Sequence, residues 1–169
     1  MRRINRHTAV TAILIVLAVY SCTKIESFPP EPEIEYQSFD LRDTVILSNP
    51  AKVGDLVVSF VDGDGDIGWE EPDTIPPDDS TAYNLFFTLF EKLDGDFIEV
   101  DTPAIAAPIR YIIPFIEREG QNKTMKGTIK VRFQYLFFNF DTIRYDFYMV
   151  DRSFNQSNVE STPEIVLNN

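Results

Sequence analysis

The sequence predicts an all-β fold, an antiparallel β-sandwich of about seven short strands in two packed sheets, on three observations. Apolar residues recur with period two from about Gln37 onward, turn-forming pairs separate the alternating runs, and no sustained helical stretch interrupts them. The clearest run is IKVRFQYLF, where Ile129, Val131, Phe133, Tyr135 and Phe137 share one face and Lys130, Arg132 and Gln134 the other. In DTIRYDFYMVD, Ile143, Tyr145, Phe147 and Met149 alternate with Arg144, Asp146 and Tyr148. Successive side chains of a strand point to opposite faces, so each run buries one face and wets the other.

The remaining strands are LVVSFV (56–61), YNLFFTLFEK (83–92), FIEV (97–100) and IRYIIPFIE (109–117), which are apolar on both faces or nearly so and are expected to lie deeper. Asn49-Pro50, Asp94-Gly95, Glu119-Gly120 and the loop VDGDGDIG supply the turns. Ahead of the domain, assigned to 37–169, Pro29, Pro30 and Pro32 alternate with Glu31, Glu33 and Glu35. Proline stiffens this stretch and like charges extend it, so 22–36 is expected to be a semi-rigid tether.

Residues 1–21 begin with Arg2, Arg3 and Arg6, continue through an apolar run and end on the small Ser21, which is the pattern of a secretory signal peptide too short to span a bilayer comfortably. They hold three Arg and no acid, so removal leaves 27 acids against 12 bases, a formal charge of −15 in place of −12. Such a surface repels phosphate backbones, and no nucleic-acid partner is expected. Removal also takes His7, the only histidine, which excludes a Ser-His-Asp triad and a Cys-His pair. Carboxylate chemistry survives: calcium ligation, or the paired acids of a glycosidase.

The only cysteine, Cys22, follows Val19-Tyr20-Ser21, and these four residues resemble the lipobox of bacterial lipoproteins. The resemblance implies a diacylglycerol on Cys22, a mature chain beginning there, and anchorage in the outer membrane of the cell envelope, since several acyl chains hold a protein to a bilayer where one does not. Lys24 and Glu26 are similar to the charged signals that send some lipoproteins of the Bacteroidota to the outer face of that membrane.

Asp141-Thr-Ile143-Arg-Tyr145-Asp-Phe147 resembles the D-x-A-x-Y-x-C signature of immunoglobulin-type domains, which makes the expected fold an immunoglobulin-like antiparallel β-sandwich. In that family the Tyr forms a corner by bonding to nearby backbone; here Phe147 replaces the Cys, so an apolar contact takes the place of the inter-sheet disulfide. The stretch Asp151-Arg-Ser-Phe-Asn155-Gln-Ser157-Asn158 resembles the D-x-x-G-N-x-S turn of bacterial immunoglobulin-like modules. Phe154 stands where glycine is usual, and a bulky side chain opposes a left-handed backbone, so this turn is expected to differ from the pattern. Together with the lipobox, FVDGDGDIG and Thr162-Pro163-Glu164-Ile165, these features are similar to a group of Bacteroidota lipoproteins of uncharacterised activity.

Asp62, Asp64 and Asp66 are separated by single glycines, and three carboxylates so close repel unless a cation joins them or water screens them. Gly63, Gly65 and Gly68 let the backbone turn so that the side-chain oxygens converge. The loop is not an EF-hand: Ile67 holds the slot that demands glycine, and Asp73 stands where a bidentate Glu belongs. If 56–61 and 142–150 are the second and sixth strands, the immunoglobulin-like topology places the loops after both at one end, as in cadherin-like modules. The expected metal set is then Asp62, Asp64, Asp66, Asp151 and Asn155, with calcium as the cation. The alternative is a solvated hairpin turn, for which Asp-Gly pairs are equally favoured.

Trp69, Phe138 and Phe140 are candidate contacts to a ligand, with Trp69 packed over the core edge as the plainer reading. No catalytic residue is assigned. The sequence thus points to a non-enzymatic, lipid-anchored binding or structural module, with a glycan-binding or carboxylate-based glycan-processing protein, or a subunit of an outer-membrane complex, as the alternatives. Its partners are the membrane, through the N-terminal lipid, and a protein or glycan.

Overall fold

The computed structural model describes residues 27–70, 80–101, 109–117, 123–136 and 139–167. The signal segment, Cys22, the turn at Glu119-Gly120, the acidic stretch 71–79 and Phe138 lie outside them.

Nine strands form two antiparallel sheets among the described residues: β1 (Glu33–Ile46), β2 (Asn49–Asp62), β3 (Leu85–Leu93), β4 (Asp96–Glu99), β5 (Ile109–Tyr111), β6 (Met125–Tyr135), β7 (Thr142–Met149), β8 (Glu160–Ser161) and β9 (Ile165–Val166). One sheet has the order β1-β2-β6. The other runs β4-β3-β7-β8, with β5 beside β4 on the same flank of β3 and β9 beside β8 on the same flank of β7. The all-β antiparallel sandwich is as expected and its arrangement is consistent with an immunoglobulin-like fold; the count exceeds seven because several flanking strands are only two to four residues long.

β1 corrects two expectations. The stretch assigned to the tether is strand from Glu33, and the first turn is Leu47-Ser48, with φ of 50° and 65°, rather than Asn49-Pro50. Two consecutive positive φ values make the primed turn that matches strand twist. Pro50 pairs with Val45 near the start of β2, before β6 joins at Lys52, a position where a strand admits proline. A bulge between Tyr36 and Ser38 shifts the alternation by one residue, which puts Ile34 and Tyr36 on the same face as Phe39 and Leu41. The start of β1 is held sideways by a side chain: Asn158 Oδ1 accepts from Ile34 N (2.8 Å) and its Nδ2 donates to Ile34 O (2.9 Å).

Between the sheets, Leu56, Val58 and Phe60 of β2 and Val131 and Phe133 of β6 meet Leu89 of β3 and the fully buried face Ile143, Tyr145, Phe147 and Met149 of β7. The Phe133 ring stacks on Tyr145 across the gap at 4.6 Å, and Phe87 stands edge-on to Phe133 at 5.3 Å. Phe147 packs on Phe87 of the neighbouring strand at 5.4 Å, a contact within one sheet, while the rings that meet across the gap are Phe133, Tyr145 and Phe87. Burial holds the Tyr135 and Tyr145 phenols well above their ordinary range.

The run 109–117 is strand only to Tyr111. Beyond it, Asn84 substitutes for a strand: its buried side chain accepts from Ile113 N (2.6 Å) and donates to Ile113 O (3.1 Å). On the outer face of the other sheet, Asp55 receives Arg132 and Arg42, both at 2.7 Å, and Lys130 at 3.3 Å. Arg132 above all, then Arg42, holds its carboxyl well below the usual carboxylate range, although burial works against them.

Candidate functional site

The last residue of β2, Asp62, is fully buried and organises the loop that follows it. Its Oδ2 accepts from Asp66 N (2.8 Å) and Ile67 N (3.2 Å), so one carboxylate oxygen satisfies the amides of the turn. The other oxygen, Oδ1, points the opposite way. Gly63 passes close under the N-terminal segment, donating from its N to Pro29 O at 3.0 Å, and a Cβ there would clash with the carbonyl oxygens of Phe28 and Pro29. Gly65 takes φ of 67°, open to glycine at no steric cost. Ile67, in the slot that an EF-hand reserves for glycine, is fully buried in the core and pins the loop down.

Carboxylate oxygens of Asp62, Asp64 and Asp66 lie within 4.8 Å of one another. The Oδ1 atoms of all three are buried and have no hydrogen-bond donor among the described residues. A buried polar atom without a partner carries its full desolvation cost, on the order of 1–3 kcal/mol and more when charged. Burial first, and then the Asp64 carboxyl beside it, pushes Asp62 up to about 6.

The turn after β7 meets this loop at the same end of the sandwich. Arg152 N donates to Asp66 O (3.2 Å), Ser153 Oγ to Asp66 Oδ2 (2.7 Å) and Arg152 Nη1 to Gly68 O (3.0 Å). The expected meeting of the two acidic loops is therefore present, but their roles differ. Both oxygens of Asp151 are engaged within its own turn, by Asn155 N (2.7 Å) and Asn155 Nδ2 (2.8 Å). Asp151 and Asn155 thus shape the turn, while Asp62, Asp64 and Asp66 present the unpartnered oxygens. Burial, and to a lesser degree the charges of Asp66 and Asp64, raises Asp151 as well.

Phe154 adopts φ of 64° after all, so the turn keeps its left-handed residue despite the bulky side chain. That geometry costs roughly 1–2 kcal/mol for a residue with a Cβ. Trp69 is half-buried, tied by its backbone to Ile113 O (3.0 Å) and Phe115 N (2.9 Å), with its ring edge-on to Phe154 at 6.1 Å. Phe140 is half-buried and packs against the core; alternation carried on from Tyr135 and Phe137 puts it on the other face, but β6 ends at Tyr135 and the alternation does not extend to it.

The roles of Asn84 and Asn158 as strand clamps went unpredicted, since a lone Asn carries no periodic signal. Asp55 had one: a single acid inside an apolar strand run calls for cations on the strands beside it. No protein-family model, curated protein or solved structure matches this chain.

Proposed function

We propose that this protein is a non-enzymatic module held at the cell envelope by lipid on Cys22, whose β-sandwich binds one calcium ion between Asp62, Asp64 and Asp66 and uses it to lock the end of the sandwich that carries the N-terminal segment. Two observations support the cation: carboxylate oxygens of three neighbouring aspartates lie within 4.8 Å of one another, and each of the three has a buried Oδ1 that no hydrogen-bond donor among the described residues engages. Asp62 sits there with Oδ2 committed to the loop amides and Oδ1 buried without a donor, which lets one carboxylate brace the loop and still offer an oxygen for ligation. The donors are all hard oxygens, with neither thiolate nor imidazole, which favours calcium or magnesium over zinc. Calcium accepts irregular shells of six to eight oxygens and sheds water readily, whereas magnesium demands near-octahedral geometry, so a buried site built on a turn suits calcium. The lipid anchor rests on the lipobox-like Val19-Tyr20-Ser21-Cys22, and the absence of an enzymatic role rests on the loss of the only histidine with the signal segment.

Calcium titration by calorimetry tests the site. One ion per chain is expected, in the range of about 0.1–1 mM typical of extracellular modules. Asp64→Asn, which keeps shape and removes one charge, is expected to weaken binding about tenfold or more, equivalent to at least about 1.4 kcal/mol. Binding of equal strength in the variant, or none in the wild type, refutes the assignment.

A further inference from the structure

The N-terminal segment reaches the sandwich at the same end as the aspartate loop. Pro29 O accepts from Gly63 N, and the Phe28 ring lies 3.9 Å from Lys126 Nζ. Cys22 precedes Ser27, the first described residue, by five positions, and five residues reach at most about 18 Å. A lipid on Cys22 therefore brings this end, and no other, close to the bilayer.

That end is not dressed as a wet surface. Phe154 is 72% exposed at the tip of its turn, and Phe115 and Ile116 are 45% and 46% exposed. Arg152 lies over the Phe115 ring at 4.9 Å while donating to Gly68 O, so a cation stands at the edge of the apolar group. Nothing in the packing of the core calls for a phenyl ring at position 154, where the backbone is left-handed and glycine would be relaxed. Aromatic rings with a flanking cation match the boundary between headgroups and acyl chains, where one side of the residue is apolar and the other wet.

We infer that this end of the sandwich docks on the lipid surface that holds the anchor, with Phe154, Phe115 and Ile116 seated in the interfacial layer and Arg152 at headgroup level. The inference rests on the lipid-anchor reading above and adds to it an orientation: the domain lies with its aspartate loop against the membrane instead of swinging free on a tether. Calcium among Asp62, Asp64 and Asp66 assists, because it offsets the negative charge that this end would otherwise bring to anionic headgroups.

Trp69 is the only tryptophan of the chain and lies against Phe154, which makes its emission a reporter of this surface. The full chain, purified from membranes and reconstituted with calcium into phosphatidylcholine vesicles, is compared with and without brominated acyl chains in the lipid. Docking predicts that bromination removes half or more of the Trp69 emission, and that Phe154→Asp, exposed and tolerated at positive φ, folds normally by circular dichroism yet restores most of it. Vesicle-bound protein whose mass shows acylated Cys22 and whose emission ignores bromination overturns the docking and leaves the anchor standing. The same result with a protein companion that Phe154→Asp releases assigns the surface to that partner instead, and also overturns it. An unmodified mass at Cys22 with no flotation of the vesicles' protein removes the anchor and the docking together.

Discussion

In metal-free buffer, the protein is expected to lose stability as the pH rises from about 4 to about 6, against the usual behaviour of carboxylates, and added calcium is expected to recover part of that loss. The cause is Asp62, whose carboxyl is pushed from 3.8 up to about 6 by burial and by Asp64. A group with a raised folded-state value favours the fold while protonated: its contribution is complete below the unfolded value and is lost as the pH climbs through the folded one. At about 1.4 kcal/mol per unit of pH between those values, the loss is on the order of 3 kcal/mol. Asp151, also raised, works in the same direction. Asp55 works in the opposite one: its depressed value stabilises the fold above the unfolded value and is lost only in stronger acid, so the two windows do not overlap.

The substitution Asp62→Asn separates these effects. The amide oxygen keeps the bonds from Asp66 N and Ile67 N, the buried charge disappears, and the amide nitrogen donates toward Asp64. At neutral pH without metal the variant is therefore expected to melt above the wild type, with the slope between about pH 4 and 6 reduced to what Asp151 contributes. With calcium at about tenfold its dissociation constant the wild type gains about 1.4 kcal/mol, and the variant gains little. Thermal melts of both proteins at several pH values, with and without calcium, check this; parallel curves for the two would contradict it.

The largest loss of stability is expected at Phe133→Ala. Its ring stacks on Tyr145 at 4.6 Å, takes the edges of Phe87 at 5.3 Å and Tyr111 at 6.1 Å, and lies beside Phe39 and Tyr135, so it joins both sheets. Removing a buried aromatic ring leaves a cavity that stacked rings cannot collapse, at a cost of about 3–5 kcal/mol. Against a total of roughly 5–15 kcal/mol this brings the domain near its unfolding threshold. Val45→Ala, on an edge strand and 69% exposed, is expected to change stability by less than about 0.5 kcal/mol. Urea unfolding of the two variants tests the contrast, and similar midpoints would show that Phe133 does not join the sheets as described.

The sheets were legible in the sequence where side chains alternate strictly. Ile143, Tyr145, Phe147 and Met149 announce β7, and Val131, Phe133 and Tyr135 announce β6, because a half-buried strand has no other way to divide its residues. β1 was obscured by its own bulge, which breaks the period between Tyr36 and Phe39, and by the prolines just ahead of it. The Leu47-Ser48 turn hid behind Asn49-Pro50, a stronger turn signal that proved to open a strand. The meeting of the two acidic loops at one end of the sandwich followed from the immunoglobulin-like topology that the sequence resembles, although 142–149 is the seventh strand and not the sixth. What strand order does not supply is the division of labour there: whether an Asp oxygen faces its own turn or the neighbouring carboxylates depends on hydrogen bonds one residue apart, and this separates Asp151 from Asp62.

The cation is tested most directly by calcium anomalous scattering from crystals grown in millimolar calcium. One peak is predicted, about 2.3–2.6 Å from an oxygen of each of Asp62, Asp64 and Asp66. A structure in which the three carboxylates close on one another, Asp62 protonated onto Asp64 with no density between them, would contradict the account.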